Sequence, residues 1–354
     1  MQRAIGLMSG TSLDGIDAAY VETDGEGRVV TGPSITIPYD ANLRAKLRGI
    51  LGGLGPVAEV EYALTEAHAE AVSLLRQKHG LRQVDLIGFH GHTILHRPEE
   101  RRTWQIGDGA LLARLTGIDV VCDFRSNDVR KGGQGAPLVP VYHRALAQDL
   151  GRPIAVLNIG GVANVTWIGA GEGDLLAFDT GPGNALIDDW MLRHIGEPID
   201  EDGKTAASGR SHKDFIEDFL RHPFFAERPP KSLDRDDFAR FVPEPLSLND
   251  GAATLAAMTA AAVAAGTRFF PTPAARWIVT GGGRRNPVIM AELARRLGVP
   301  VGPVEEVGWD GDALEAQAFG YLAVRSVLGL PLSFPGTTAC PAPLTGGIFF
   351  PAGN

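Results

Sequence analysis

Apolar residues fall in short runs over the first forty positions, at Ala4–Met8, Ile16–Glu22 and Val29–Pro38, and glycine-bearing turns separate them. That pattern predicts three strands. The period then changes. Asn42–Leu51 and Val57–Lys78 carry helical spacing, the second with Val60, Ala63, Leu64, Ala67, Ala71, Leu74 and Leu75 on one face. Val84–Phe89 and Ile118–Phe124 are short apolar runs suited to buried strands, with a short helix predicted at Ala110–Leu115 between them. Helical spacing returns from Pro137 to Leu150.

The same order then starts again. Ile154–Ile159, Ala163–Ile168 and Leu175–Phe178 predict three strands, the first two joined by Gly160-Gly161. Helices are expected at Ala185–Ile195, Ala252–Phe269, Pro287–Leu297 and Ala313–Leu328, with strands at Trp277–Thr280 and Val299–Val304. Two halves with one element order imply an internal duplication: two similar α/β lobes, each offering a Gly-rich hairpin to a cleft. A chain of 354 residues has room for two domains. The expected division is 1–131 and 132–354, with the final segment able to return to the first lobe. His222–Pro245, rich in proline and charge, reads as a surface loop or insertion.

Composition sharpens this picture at one point. There are 45 glycines and 24 prolines, against averages of roughly 7% and 5% of residues. No G-X-Y period accompanies them, so the excess belongs to tight turns and close backbone approaches. A net charge of −9 with no basic block argues against nucleic acid or an anionic membrane as partner. Cys122 and Cys340 stand far apart, which suits a reducing compartment rather than a disulfide framework. The N-terminus lacks the long apolar core of a signal peptide, and the Ala-rich run Gly251–Phe270 suits a buried helix, so a cytoplasmic protein is expected. A homodimer is compatible with the sequence.

Candidate chemistry gathers at the glycines. In the first hairpin, Met8 to Asp17, Gly10 and Gly15 permit unusual backbone angles, and Thr11 and Ser12 add hydroxyl donors. Such a turn can cradle phosphate oxygens, while Asp14 and Asp17 could hold a hydrated Mg²⁺ through water. A plain hairpin turn uses the same residues, so both readings stand. The second hairpin, Asn158 to Asn164, has the same character. Asp179 follows an apolar strand and is either a catalytic carboxylate aimed into a cleft or a residue opening the next helix. Gly281, Gly282 and Gly283, between a strand and a helix, would let backbone pass close to a flat ligand. GEPIDEDGKT, residues 196–205, lacks the spacing of a phosphate loop. His90, His92 and His96 fit no common zinc pattern and read as hydrogen-bonding or core residues. Arg125 and Arg130 beside Asp123 and Asp128 are either an acidic-ligand clamp or an ion-pair network.

Seven segments in order, GLMSGTSLDGIDAA, GFHGHTILHRP, DFRSNDVRKGGQGAPLVP, LNIGGVANVTWI, FDTGPGN, TGGGRRNP and GDALEAQAFGYLA, together resemble the anhydro-N-acetylmuramic acid kinase family. The resemblance runs from residue 4 to about 348. It implies a duplicated α/β fold of the actin/hexokinase/Hsp70 type, with two lobes each built on a mixed sheet flanked by helices. It further implies an ATP- and Mg²⁺-dependent enzyme of peptidoglycan recycling. Such an enzyme opens the 1,6-anhydro bridge of its amino sugar with water and phosphorylates O6.

Carried onto these positions, the family's first phosphate hairpin corresponds to Gly10, Thr11, Ser12, Leu13, Asp14, Gly15, Ile16 and Asp17. Asn158, Gly160 and Gly161 correspond to the second hairpin, and Gly281–Gly283 to the adenosine-side turn. Asp179 corresponds to the general base. Thr93, Arg125 and Glu315 correspond to sugar contacts, with Arg125 a partner for a lactyl carboxylate. No metal ligand is assigned directly. The tail, Pro341–Phe350, departs from the family pattern and receives no role. A carboxylate of ordinary pKa would serve as base at neutral pH. The alternatives are a kinase for another hexose or amino sugar, or a nucleotide-switched ATPase.

Overall fold

The computed structural model describes residues 1–10, 13–171 and 173–353. The chain divides into two compact units, Met1–Asp149 with Ala313–Asn354, and Leu150–Asp312. The first unit is built on β1 (Gln2–Ser9), β2 (Gly15–Thr23), β3 (Val29–Pro38), β4 (Leu86–Arg97), β5 (Arg102–Ile106) and β6 (Asp119–Cys122). β1, β2 and β3 form an antiparallel meander, while β4 lies parallel to β1 and β6 parallel to β4. β4 is buried at every position from Leu86 to His92, as a central parallel strand covered on both faces should be. Helices α1 (Ala41–Gly49), α2 (Val57–His79), α3 (Gly109–Thr116), α4 (Ser126–Arg130) and α5 (Pro140–Leu146) complete this stretch. Asp40 and Asp108 accept the Leu43 and Leu111 amides at 2.8 and 2.9 Å, capping α1 and α3. Gly80 and Gly117 end α2 and α3 in the left-handed conformation.

The second unit contains β7 (Ile154–Ile159), β8 (Val162–Ile168), β9 (Leu175–Pro182), β10 (Arg276–Thr280) and β11 (Val301–Pro303), with α6 (Ala185–Ile195), α7 (Lys204–Ala207), α8 (Lys213–Phe219), α9 (Leu248–Gly266) and α10 (Pro287–Leu297). α9 starts at Leu248, four residues before its first expected position, with Ser247 as its cap. The helix and its 3₁₀ extension are long and apolar enough to cross a membrane by length and composition. Yet Gly251–Val263 is buried without a break inside this unit, where α9 packs on α6, α10 and β9.

The sheet orders are β6-β4-β1-β2-β3 in the first unit and β11-β10-β7-β8-β9 in the second. In both, a three-stranded meander is followed by two parallel strands, so the expected duplication is present as topology. The boundary differs from the expected one. Residues 132–149 belong to the first unit, and from Ala313 the chain returns to it through α11 (Leu314–Val327), α12 (Pro335–Thr338) and β12 (Ile348–Phe350). Three glycines explain how closely α11 lies on the sheet. A Cβ on Gly6 or Gly88 would collide with the Ala316 or Phe319 carbonyl of the helix, and one on Gly320 would come 3.1 Å from the Gly6 nitrogen. The tail that had no expected role supplies β12, which pairs antiparallel with β6.

His222–Pro245 is more than a surface loop. Phe224, Phe225 and Phe238 from this stretch are buried in the second unit's core beside Phe219.

Candidate functional site

In the second unit, three glycine-bearing segments expected from sequence meet. The β7–β8 hairpin turns at Gly160-Gly161. Asn184 N–H donates to the Gly160 carbonyl at 2.7 Å, and Gly183 N–H to the Gly161 carbonyl at 2.8 Å. Asn184 Nδ2 also donates to the Ile159 carbonyl at 3.0 Å. From the other side, Gly281 (φ +76°) passes so close that a Cβ would fall 2.6 Å from the same Ile159 oxygen. Gly283 presses on the Ile159 side chain. Asn158, at the end of β7, pairs with Thr280, at the end of β10, so the hairpin and the Gly281–Gly283 turn leave neighbouring strand ends.

Gly160 and Gly161 themselves differ from these. A Cβ on either would sit at ordinary contact distance, 3.6 Å from the nearest atom at Gly160 and 3.9 Å at Gly161, and neither has positive φ. Nothing in the fold of this unit demands glycine there. What the pair provides is side-chain-free backbone at the hairpin tip, which suits close approach by a ligand.

Asp179 lies in β9, opposite Asn164 of β8. Its backbone N–H donates to the Lys231 carbonyl at 3.0 Å, and its Oδ2 accepts the Leu233 N–H at 2.8 Å. Burial pushes its carboxyl up to about 7, against the opposing pull of the Leu233 amide and the Lys231 ammonium, with Asp234 adding to the rise. The ordinary carboxylate pKa expected from sequence is therefore not what this site holds. Asp188, in α6, is likewise raised to about 7, chiefly by burial.

In the first unit, the β1–β2 hairpin is held from beneath. Ser9 Oγ lies 2.5 Å from the Tyr39 hydroxyl and 2.9 Å from His92 Nδ1. His92 is fully buried and pushed down to about 4 by that burial, so its ring is neutral. Leu13 has φ +60°, an unusual conformation for a leucine, and its N–H donates to the Gly10 carbonyl. A Cβ on Gly15 would run into the Ile37 carbonyl. Leu13 and Ile16 are buried in the core of this unit. Asp14 is exposed, and Asp17 Oδ1 accepts from Thr36 Oγ1 at 2.6 Å. Thr11 and Ser12 lie outside the described residues.

The three sugar-side candidates also belong to this unit. Thr93, in β4, accepts from Gln105 Nε2 at 3.2 Å. Arg125 Nε donates to His90 Nε2 at 3.1 Å and Nη1 to the Gly135 carbonyl at 2.7 Å, leaving Nη2 without a partner among the described residues. The neutral, buried His90 can offer that lone pair because its Nδ1 faces the Gly91 carbonyl at 2.9 Å. Burial lowers the Arg125 guanidinium to about 10, and Glu315 opposes that shift. Glu315 opens α11 with its surface accessible, and the surrounding protein still raises its carboxyl against the pull of Arg125.

Asp128 is buried and forms no ion pair with its arginine neighbours. It accepts from Ser333 Oγ at 2.5 Å, Thr338 Oγ1 at 2.7 Å and the Gly135 N–H at 2.6 Å. It thereby ties the loop after β6 to the returning chain. A cavity of about 330 Å³ lies beside this loop, lined by Arg101, Arg102, Trp104, Asp123, Ser126 and Arg130 among others.

Sequence reasoning missed Lys231 and Leu233 because they sit in the stretch read as a loop. The available signal was the concentration of phenylalanine on both sides of it, which marks a buried segment. No group of three or more His, Cys, Asp or Glu residues suited to a metal ion occurs among the described residues.

Two sheets of one strand order, each with a glycine-bearing hairpin, and a carboxylate near the end of the second meander make a duplicated α/β fold of the actin and hexokinase type. The family model described as Anhydro-N-acetylmuramic acid kinase matches residues 2–352. The chain belongs to that family. It is similar to the anhydro-N-acetylmuramic acid kinase of Paramagnetospirillum magneticum, 60% identical over 97% of this chain and 98% of that one. The protein of the same name from Rhodospirillum rubrum is 57% identical over 99% and 94% of the two chains. Among solved structures, an activator of the 2-hydroxyisocaproyl-CoA dehydratase from Clostridium difficile aligns at 13% identity with a TM-score of 0.48, over 92% of this chain and 96% of that one.

Proposed function

We propose that this chain is an ATP-dependent kinase that opens the 1,6-anhydro ring of anhydro-N-acetylmuramic acid with water and phosphorylates O6. The products are N-acetylmuramic acid 6-phosphate and ADP, and the reaction serves peptidoglycan recycling. Beyond family membership, the observation that carries this reading is Asp179: a carboxyl poised at about 7, with one oxygen held by a backbone amide. A general base works best with a pKa near the working pH.

In this reading Asp179 takes a proton from the water that attacks the anomeric carbon as the C1–O6 bond breaks. The anionic base also steadies the positive charge developing on the ring. The released O6 then takes the γ-phosphoryl group, and ADP leaves. Phosphoryl transfer asks mainly for positioning and electrostatic support. Asn158, Gly160 and Gly161 are assigned to the phosphates, and Gly281–Gly283 to the adenosine side. Gly10–Asp17 would supply a second set of backbone donors. Arg125, through Nη2, is assigned to the lactyl carboxylate, and Thr93 and Glu315 to sugar hydroxyls.

Asp14 and Asp17 are single carboxylates rather than a cage. That donor set fits a hydrated Mg²⁺ that arrives with the nucleotide and is held through water. Such an ion would offset phosphate charge. Cys122 and Cys340, both buried and unpaired, favour a cytoplasmic location.

The test is ADP release with anhydro-N-acetylmuramic acid, glucose, N-acetylglucosamine or no sugar, together with ¹⁸O from water. ADP release dependent on the anhydro sugar, with label at the anomeric carbon, is the expected result. Turnover of glucose without the anhydro sugar would replace this reading with that of an ordinary hexose kinase.

A further inference from the structure

The chain between α8 and α9 contributes Lys231–Leu233, a short stretch without regular secondary structure that bonds to Asp179 of β9. Its two contacts to Asp179 lie on either side of one side chain: the Lys231 carbonyl takes the Asp179 N–H, and the Leu233 N–H reaches Oδ2. The Lys231 side chain is what ties this stretch inward. Its Nζ donates to the Phe224 carbonyl at 2.7 Å and lies 4.0 Å from the Phe224 ring centre, 5.0 Å from that of Phe269 and 6.0 Å from that of Phe178. Phe178 immediately precedes Asp179 in β9. Ser232 and Asp234 are exposed and provide no comparable anchor.

An ammonium among aromatic rings pays for partial desolvation that a leucine or methionine would avoid. The Phe224 carbonyl and the ring faces hold that charge as an anchor, and the same charge also acts on Asp179, whose ionised form it favours.

We propose that Lys231 is a positioning residue for the reaction: its side chain pins the 231–233 stretch that aims the Asp179 carboxyl, and its positive charge favours the ionised, basic form of Asp179. The inference rests on the reading of Asp179 as base. It leaves Lys231 without contact to substrate.

The charged groups facing the pair are few. Glu227, Arg268 and Asp179 act on Lys231, and Lys231 and Asp234 act on Asp179. Burial brings Lys231 down to about 8 while Asp179 stands at about 7. Near neutrality the ammonium is thus still charged as the carboxyl gives up its proton. Removing the charge must raise the Asp179 pKa.

The test compares wild type, Lys231→Met and Lys231→Arg. Methionine keeps an unbranched chain among the rings and removes the charge, while arginine keeps the charge. Two readouts are taken: the rising limb of kcat/KM against pH, and the titration of the Leu233 amide resonance by NMR, which senses the carboxyl it binds. In Lys231→Met both midpoints move up by about one unit, so kcat/KM at pH 6 falls about tenfold while the KM for ATP stays unchanged. Lys231→Arg returns both midpoints towards wild type. Lys231→Met also loses thermal stability, because the Phe224 carbonyl loses its donor, and Tm is recorded to separate that loss from the charge effect.

A folded Lys231→Met protein whose midpoints equal those of wild type overturns the proposal, whatever its Tm. If wild type releases no ADP with the sugar, the functional reading fails instead. The Leu233 titration still decides the Lys231–Asp179 coupling in that case.

Discussion

The two units share a strand order and differ in what makes their hairpins glycine-rich. In the first, the requirement is internal. Gly15 is glycine because the Ile37 carbonyl occupies the space of a side chain, and Ser9, Tyr39 and His92 brace the strands beneath. In the second, Gly160 and Gly161 have room for a side chain and ordinary backbone angles, while the neighbouring Gly183 is packed against Gly160 and Gly281 against Asn158 and Ile159. The same residue type thus records two different pressures. One is steric and belongs to folding; the other is left unexplained by folding and is the better mark of a ligand.

The largest effect expected on this comparison concerns the carboxylate that only the second unit carries at this position. Asp179→Asn should lower kcat by about 10²–10⁴ with ATP affinity unchanged, read from steady-state ADP release and nucleotide titration. Near-wild-type turnover would remove Asp179 as base.

Next comes Gly15→Ala, which forces a Cβ onto backbone. It should cost about 2–3 kcal/mol and lower Tm by roughly 4–12 °C in thermal unfolding.

Gly160→Ala should do the reverse. Its Tm should change little, with a small gain from the stiffer unfolded chain, while the KM for ATP rises about tenfold, or about 1.4 kcal/mol. Equal losses of stability in the two alanine variants would erase the distinction between the hairpins.

The last effect is on stability against pH. The Asp179 pKa in the folded protein is raised from 3.8 to about 7, so between those values the native state holds a proton that the unfolded chain has released. This group's contribution to stability therefore falls as pH rises from about 4 to about 7. Asp179→Asn removes that slope. Its Tm relative to wild type should climb between pH 5 and pH 8 in parallel melts, and a constant difference would contradict the raised pKa.

Part of the excess of glycine has an explanation the sequence did not suggest. Gly6, Gly88 and Gly320 answer to packing inside the first unit. They let α11 lie against β1 and β4, a contact between positions more than two hundred residues apart. The loops bearing Gly160, Gly183 and Gly281 were legible as candidates, because glycine and asparagine at the ends of apolar runs announce themselves. Lys231 and Leu233 were not. Their stretch carries proline and charge, and its burial depends on Phe224, Phe225 and Phe238 closing over it. Asp128 was legible as a charged residue among arginines, yet its partners proved to be hydroxyls from the returning chain.

Periodicity and turn residues alone determined the two successions of strands and helices, the repeat between them, and the loops in which backbone is laid bare. These are properties of local chain geometry, set by residues within a few positions of one another. The tertiary structure decided where the chain changes unit, which glycines are steric, and how Asp179 is held. The Asp179 pKa depends on burial and on an amide 54 residues further along the chain. No local pattern encodes that distance, because the cost of burying a charge is set by everything packed around it.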